Sequence, residues 1–141
     1  AESLKRNYPD ALIIGSDQVF VDPRGRILGK PAGRDAAILQ LKAMVGQKHT
    51  FYTGVSVFDA QCGEVASDCA TYAVTLRNLS DEQIASYVDR EKPFDCAGSF
   101  RVEGLGIALM EKMEGEDYNA LIGLPLIKLT ELLERFDVAL L

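Results

Sequence analysis

The run Ala11-Leu12-Ile13-Ile14-Gly15-Ser16-Asp17 leads an apolar segment into a carboxylate, and Lys30 follows thirteen residues later within Gly29-Lys30-Pro31. An acid at the carboxyl end of a buried strand can bind a hard divalent cation or orient a water as general base. Lys30 sits between a glycine, which lets a backbone approach closely, and a proline, which stiffens the loop. That setting suits a compact positive charge aimed at phosphate oxygens. Together, in this order, acid and lysine describe a metal-bound polyphosphate site in a nucleotide-cleaving enzyme. Taken singly, Asp17 reads equally well as an Asx-type turn residue, and Lys30 as a solvated surface lysine. No GxxxxGK[ST] phosphate loop occurs in the chain.

A second unusual stretch is Phe94-Asp95-Cys96-Ala97-Gly98-Ser99-Phe100-Arg101-Val102-Glu103-Gly104. Small residues at 97–99 let main-chain groups reach a ligand. The Glu103 carboxylate can accept two hydrogen bonds from the N1 and exocyclic amine donors of a guanine, or it can be a solvated acid in a surface turn. His49, the only histidine, has no ligand spacing around it and reads as a structural or hydrogen-bonding residue. Cys62, Cys69 and Cys96 are an odd set without CxxC spacing, which suits reduced thiols better than a disulfide framework or a zinc site. Cys96 would need His49 as its base to act as a nucleophile. The charged run from Glu111 to Asp117 reads as a solvated rim.

The elements that must position these residues alternate in type. Glu2 to Tyr8 reads as the last turns of a helix ended by Pro9-Asp10. Ala11 to Ile14 predicts a strand buried on both faces, with Gln18 to Val21 continuing or re-pairing the sheet. Asp22-Pro23-Arg24-Gly25-Arg26 predicts a turn. Arg34 to Val45 carries a helical stripe of Ile38, Leu41, Met44 and Val45, stopped by Gly46. Thr50 to Phe58 and Tyr72 to Leu76 predict a hairpin or meander. Ser80-Asp81-Glu82-Gln83 is a capping box opening a helix whose apolar face is Ile84, Tyr87 and Val88, ended by Pro93. Gly104 to Met113 predicts another strand. A final helix starts near Pro125 with Leu126, Leu129, Leu132 and Leu133 as its buried stripe.

With 141 residues, 48% hydrophobic and 26% charged, the chain fits one α/β domain with a mixed β-sheet. A formal net charge of -6 argues against nucleic-acid binding by phosphate neutralisation, though a local basic pocket can still hold a small anion. No apolar run approaches the roughly 20 residues that span a bilayer, so no membrane partner is expected.

Gly15-Ser16-Asp17-Gln18, Gly29-Lys30-Pro31, Gly46-Gln47-Lys48-His49 with Tyr52-Thr53-Gly54-Val55, Cys96-Ala97-Gly98-Ser99-Phe100 and Gly123-Leu124-Pro125-Leu126 follow one another in fixed order. Each motif is short, but the series resembles the Maf-like nucleotide pyrophosphatases over essentially the whole chain. The resemblance implies a cytoplasmic, often homodimeric α/β enzyme with a Maf/inosine-triphosphatase-like mixed β-sheet flanked by helices. Such enzymes hydrolyse nucleoside triphosphates to a monophosphate and pyrophosphate with a divalent metal, magnesium or manganese. It implies that Asp17 is the acidic catalytic residue, as proton acceptor or metal ligand, and that Lys30 belongs to the phosphate-binding loop.

The pyrimidine branch of that family typically has threonine after the acid and glutamine before the last glycine of the later motif. Gln18 and Glu103 stand there instead, which resembles the branch acting on 7-methylguanosine triphosphate. Methylation at N7 makes the base cationic and its N1 proton more acidic, and a carboxylate complements both changes. Cys96 stands where many family members have lysine. The family also begins with a strand and an SxSxRR loop that grips the phosphates. On this match about 50 residues are absent from the sequence, and residues 1–141 alone are expected to be inactive or nearly so. The alternative expectation is a non-catalytic nucleotide-binding or septum-related regulatory module.

Overall fold

The computed structural model describes residues 1–141. Its strands are β1 (Leu12–Val21), β2 (Lys48–Asp59), β3 (Val65–Leu76) and β4 (Met110–Gly115), hydrogen-bonded in that order as an antiparallel sheet flanked by helices. The helices are α1 (Arg34–Met44), α2 (Asp81–Glu91), α3 (Tyr118–Ile122) and α4 (Leu126–Glu134). The α/β class expected from the sequence is the class observed. The expected mixed pairing is confined to one isolated parallel bridge, Val45 with Leu76. No helix is long and apolar enough to cross a membrane.

Two compact units are distinguishable, one comprising Ala1–Gln18, Tyr52–Tyr72 and Gly115–Leu141, the other Val19–Phe51 and Ala73–Glu114. In the first, Val55 and Val57 of β2 pack with Leu129 and Leu132 of α4, joined by Leu12, Leu124, Leu133 and Phe136. β2 alternates as a half-buried strand must, with Thr53, Val55 and Val57 all inward. In α4, Leu126 is exposed rather than part of the buried stripe, because Pro125 is the N-cap and the helix turns its 129 and 132 positions inward. The amino terminus forms only a 3-10 turn, Glu2–Leu4, in place of the expected helix tail.

α3 has no counterpart in the sequence reading. Asp117 caps it, with Oδ1 accepting from the Asn119 amide at 2.8 Å, while Oδ2 accepts from the Ile127 amide at 2.8 Å in the first turn of α4. Asp117 is therefore buried, and the solvated-rim reading fails there because one carboxylate satisfies two helix starts.

In the second unit, α1 buries Ala37, Leu41 and Met44, and Gly46 ends it at a left-handed φ of 67°. α2 opens on the expected capping box: Ser80 Oγ accepts from the Gln83 amide, and the Gln83 side chain accepts from the Ser80 amide at 2.9 Å. Ile84, Tyr87 and Val88 are its buried face. The strand expected over Gly104 to Met113 is instead a 3-10 segment, Leu105–Leu109, followed by β4. The Leu105 amide donates to Glu91 Oε2 at 2.8 Å and the Gly106 amide to the Arg101 carbonyl at 2.9 Å, which winds the chain before it can extend. Replacing Ser80 by Ala removes one half of the box and is expected to lower stability by about 1 kcal/mol in urea titration, with the m-value unchanged. An unchanged midpoint would show that the cap is not needed.

Candidate functional site

Asp17 lies in the middle of β1, not at a strand end. The turn expected at Gly15-Ser16-Asp17 is replaced by a continuous strand whose inward set shifts: Ile13 and then Phe20 are buried, and Ser16 and Asp17 are both exposed. Two consecutive outward residues are what a local irregularity in the pleat produces. The Gln18 amide donates to Asp17 Oδ1 at 2.8 Å, which leaves the second carboxylate oxygen for solvent or ligand.

Asp17 lines an open cavity of about 420 Å³ with Ser16, Gly54, Ser56, Ser67 and Asp68, all within the first unit. Asp68 is a second carboxylate in this cavity that sequence reading did not single out; nothing in its neighbourhood on the chain signals it. The Cys69 amide, and beyond it Lys128 at 3.4 Å, hold Asp68 below the usual carboxylate range. Within the same unit Ser16 Oγ shares its one proton between the carbonyls of Gly54 and Gly123, at 2.7 and 2.8 Å.

Gln18 is half-buried and its amide nitrogen is fully engaged. It donates to Thr53 Oγ1 at 2.8 Å and to the Ala120 carbonyl at 2.7 Å. Thr53, fully buried, donates to the same carbonyl at 2.7 Å. Only the Gln18 carbonyl oxygen remains as a group for a ligand.

Lys30 and Glu103 belong to the second unit, and both are exposed. The Lys30 loop is held against the small-residue segment at 97–99, where the Gly98 amide donates to the Gly29 carbonyl at 3.3 Å. Asp95 is held below its ordinary value first by Cys96 and also by the positive charges of Arg101 and Lys30. Cys96 is partly buried, and burial followed by Asp95 raises its thiol pKa, which opposes a nucleophilic role.

The Glu103 segment is anchored on both sides by α2. Tyr87, whose hydroxyl is pushed above its usual pKa by burial, accepts from the Arg101 amide at 3.0 Å. Glu91 accepts from the Leu105 amide and lies 3.6 Å from the Arg101 guanidinium. The signal for this role was a carboxylate at position 91 on the apolar face of residues 84, 87 and 88, one turn beyond Tyr87.

His49 is buried, stacks on Phe20 with ring centroids 5.5 Å apart, and has Nδ1 3.2 Å from the Gln47 carbonyl. No group of three or more His, Cys, Asp or Glu side chains is arranged to hold a metal ion.

In this α/β protein Asp17 is an exposed acid on an edge strand of the sheet, and in the second unit the lysine loop is hydrogen-bonded to the small-residue loop. Residues 1–136 match the family model described as Maf-like protein, and the chain belongs to that family. It is 60% identical over 141 residues to the 7-methyl-GTP pyrophosphatase of Syntrophotalea carbinolica, covering 100% of this chain and 72% of that protein. It is 54% identical over 127 residues to the protein of the same name from Aliivibrio fischeri, covering 90% of this chain and 65% of that one. The one from Colwellia psychrerythraea is 47% identical over 141 residues, covering 100% of this chain and 70% of its own length.

Burial lowers the His49 pKa, opposed by the Gln47 carbonyl and Asp22, so the unfolded chain takes up this proton first. The His49 contribution to stability is complete above the unfolded pKa of about 6.5 and declines as pH falls through it toward the lower folded value. Urea titrations between about pH 7.5 and 5.5 are expected to show a smaller acid loss for His49→Phe than for the wild type. Identical slopes would remove His49 from the pH dependence.

Proposed function

We propose that the chain carries the nucleotide site of a nucleoside triphosphate pyrophosphatase acting on 7-methylguanosine triphosphate, a reaction that releases the monophosphate and pyrophosphate. The observation that carries this reading is the 60% identity, across all 141 residues, with a relative named 7-methyl-GTP pyrophosphatase. Water attacks the α-phosphorus, and pyrophosphate leaves as the bond to the bridging oxygen breaks. Asp17, with one oxygen occupied by the Gln18 amide, offers the other to the attacking water as proton acceptor or to a divalent metal. Magnesium or manganese, when bound, supplies Lewis-acid polarisation of the phosphate oxygens. Lys30 neutralises charge on the phosphate chain.

Glu103 accepts from N1–H and the exocyclic amine of the methylated base, and its negative charge favours a cationic ring over neutral guanine. Gln18 contributes its carbonyl oxygen, since its amide protons are used internally. Free cysteines at 62, 69 and 96 support a cytoplasmic setting, and a homodimer is the assembly that goes with this reading.

The test measures pyrophosphate release with magnesium from 7-methylguanosine triphosphate, GTP, dTTP and UTP, using the 141-residue chain and any longer form its gene encodes. The active form is expected to prefer the methylated substrate. Asp17→Asn is expected to reduce turnover at least about 100-fold while nucleotide binding persists. Preference for a pyrimidine would overturn the substrate assignment, and full activity of Asp17→Asn would remove the carboxylate from the chemistry. Glu103→Gln is expected to lower kcat/KM for 7-methylguanosine triphosphate more than for GTP, by about tenfold, the worth of one charge-assisted hydrogen bond. Equal losses on both would deny Glu103 a part in base selection.

A further inference from the structure

We infer that Gln40, with Ser99 behind it, is the positioning residue of the phosphate loop, setting where Lys30 stands; the inference rests on the reading of Lys30 as a phosphate ligand. Ser99 is fully buried and sits at a left-handed φ of 60°, a conformation that a residue with a Cβ adopts only where its surroundings impose it. Its hydroxyl donates to Gln40 Oε1. From the other end of the same amide, Gln40 Nε2 donates to the Gly29 carbonyl at 3.1 Å. The Gly98 amide donates to that carbonyl as well.

One carbonyl with two donors, immediately before Lys30, fixes the plane of the Gly29–Lys30 peptide. The loop is held upstream too, where the Leu28 amide donates to the Phe20 carbonyl at 2.7 Å. Gly29 and Lys30 are both exposed. A glutamine is required at position 40 because it must accept from a hydroxyl and donate to a carbonyl at once. Methionine matches its length and does neither.

The test titrates the full chain with inorganic tripolyphosphate, which reads the lysine loop, and with 7-methylguanosine, which reads the base side, following amide chemical shifts. Gln40→Met is expected to weaken tripolyphosphate binding about five- to tenfold, the loss of one well-made hydrogen bond. The affinity for 7-methylguanosine is expected to stay within about twofold, and the Gly98 amide to exchange faster with solvent. A general destabilisation would weaken both ligands together, so loss of both in equal measure, or of neither, overturns the inference alone. Should Gln40→Met not fold, Ser99→Ala, which removes only the buried hydroxyl, is expected to give the same split with a smaller loss. A wild-type chain that binds neither probe, or binds tripolyphosphate equally well as Lys30→Ala, overturns the Lys30 reading and this inference with it.

Discussion

The contact between Gly98 and the ring of Phe20 constrains everything around the lysine loop. Phe20 is buried near the end of β1, with the Phe51 ring centroid 4.2 Å away and Phe100 edge-on at 5.6 Å. A Cβ at position 98 would overlap the Phe20 ring, and the φ of 75° there is itself unfavourable for any other residue. The chain therefore passes the aromatic cluster as bare backbone. It then takes a second left-handed step at Ser99, which drives that hydroxyl inward. The aromatic cluster is hydrophobic stabilisation in the ordinary sense, with offset and edge-to-face rings adding to area burial. Its consequence for function lies in the path it leaves open to the loop.

α2 does the corresponding work for Glu103. A buried phenol and a nearly buried carboxylate on a helix are costly unless they are hydrogen-bonded. Both Tyr87 and Glu91 spend their acceptors on the backbone of the segment that carries Glu103. Close packing of Gly106 against the Arg101 carbonyl leaves room for no side chain, and a Cβ at Gly104 would displace the Glu91 carboxylate. The result is a rigid turn that keeps Glu103 exposed, outside the ion pairs that Arg101 makes with Glu91 and Asp95. The capping box at Ser80 sets the start of that helix, and so the register of both anchors.

Features encoded within one turn of chain were legible in the sequence. The box at Ser80 to Gln83, the glycine stop at position 46 and the β-branched and aromatic composition of Thr50 to Phe58 are local in this sense, and the structure holds them. Features decided by distant partners were not. Gly15-Ser16-Asp17 has turn composition, yet the strand continues through it with only a shift of pleat. Leu105, Ile107 and Leu109 alternate like a strand, but Glu91, fourteen residues before Leu105, captures the amide that a strand would have used. Asp117 ended a charged run and is buried because α4, a separate element, needed its second oxygen. Among the candidate residues, motif position singled out Asp17, Lys30 and Glu103 and the family resemblance added Gln18, while the groups that hold them in place were visible only once the chain was folded.

At Gln18 the proposed contact to a base is tied to internal hydrogen bonding. Its amide nitrogen closes a network with buried Thr53 and the Ala120 carbonyl of α3, so a shorter side chain leaves a buried acceptor and hydroxyl to rearrange. Threonine, the residue of the pyrimidine branch, does not reach both partners from the same backbone position. Exchange at 18 therefore perturbs the packing of α3 together with any contact to a base. Glu103, exposed at the tip of an anchored turn, carries no comparable internal duty. Of the two positions proposed to meet the base, Gln18 is tied into internal hydrogen bonds and Glu103 stands exposed.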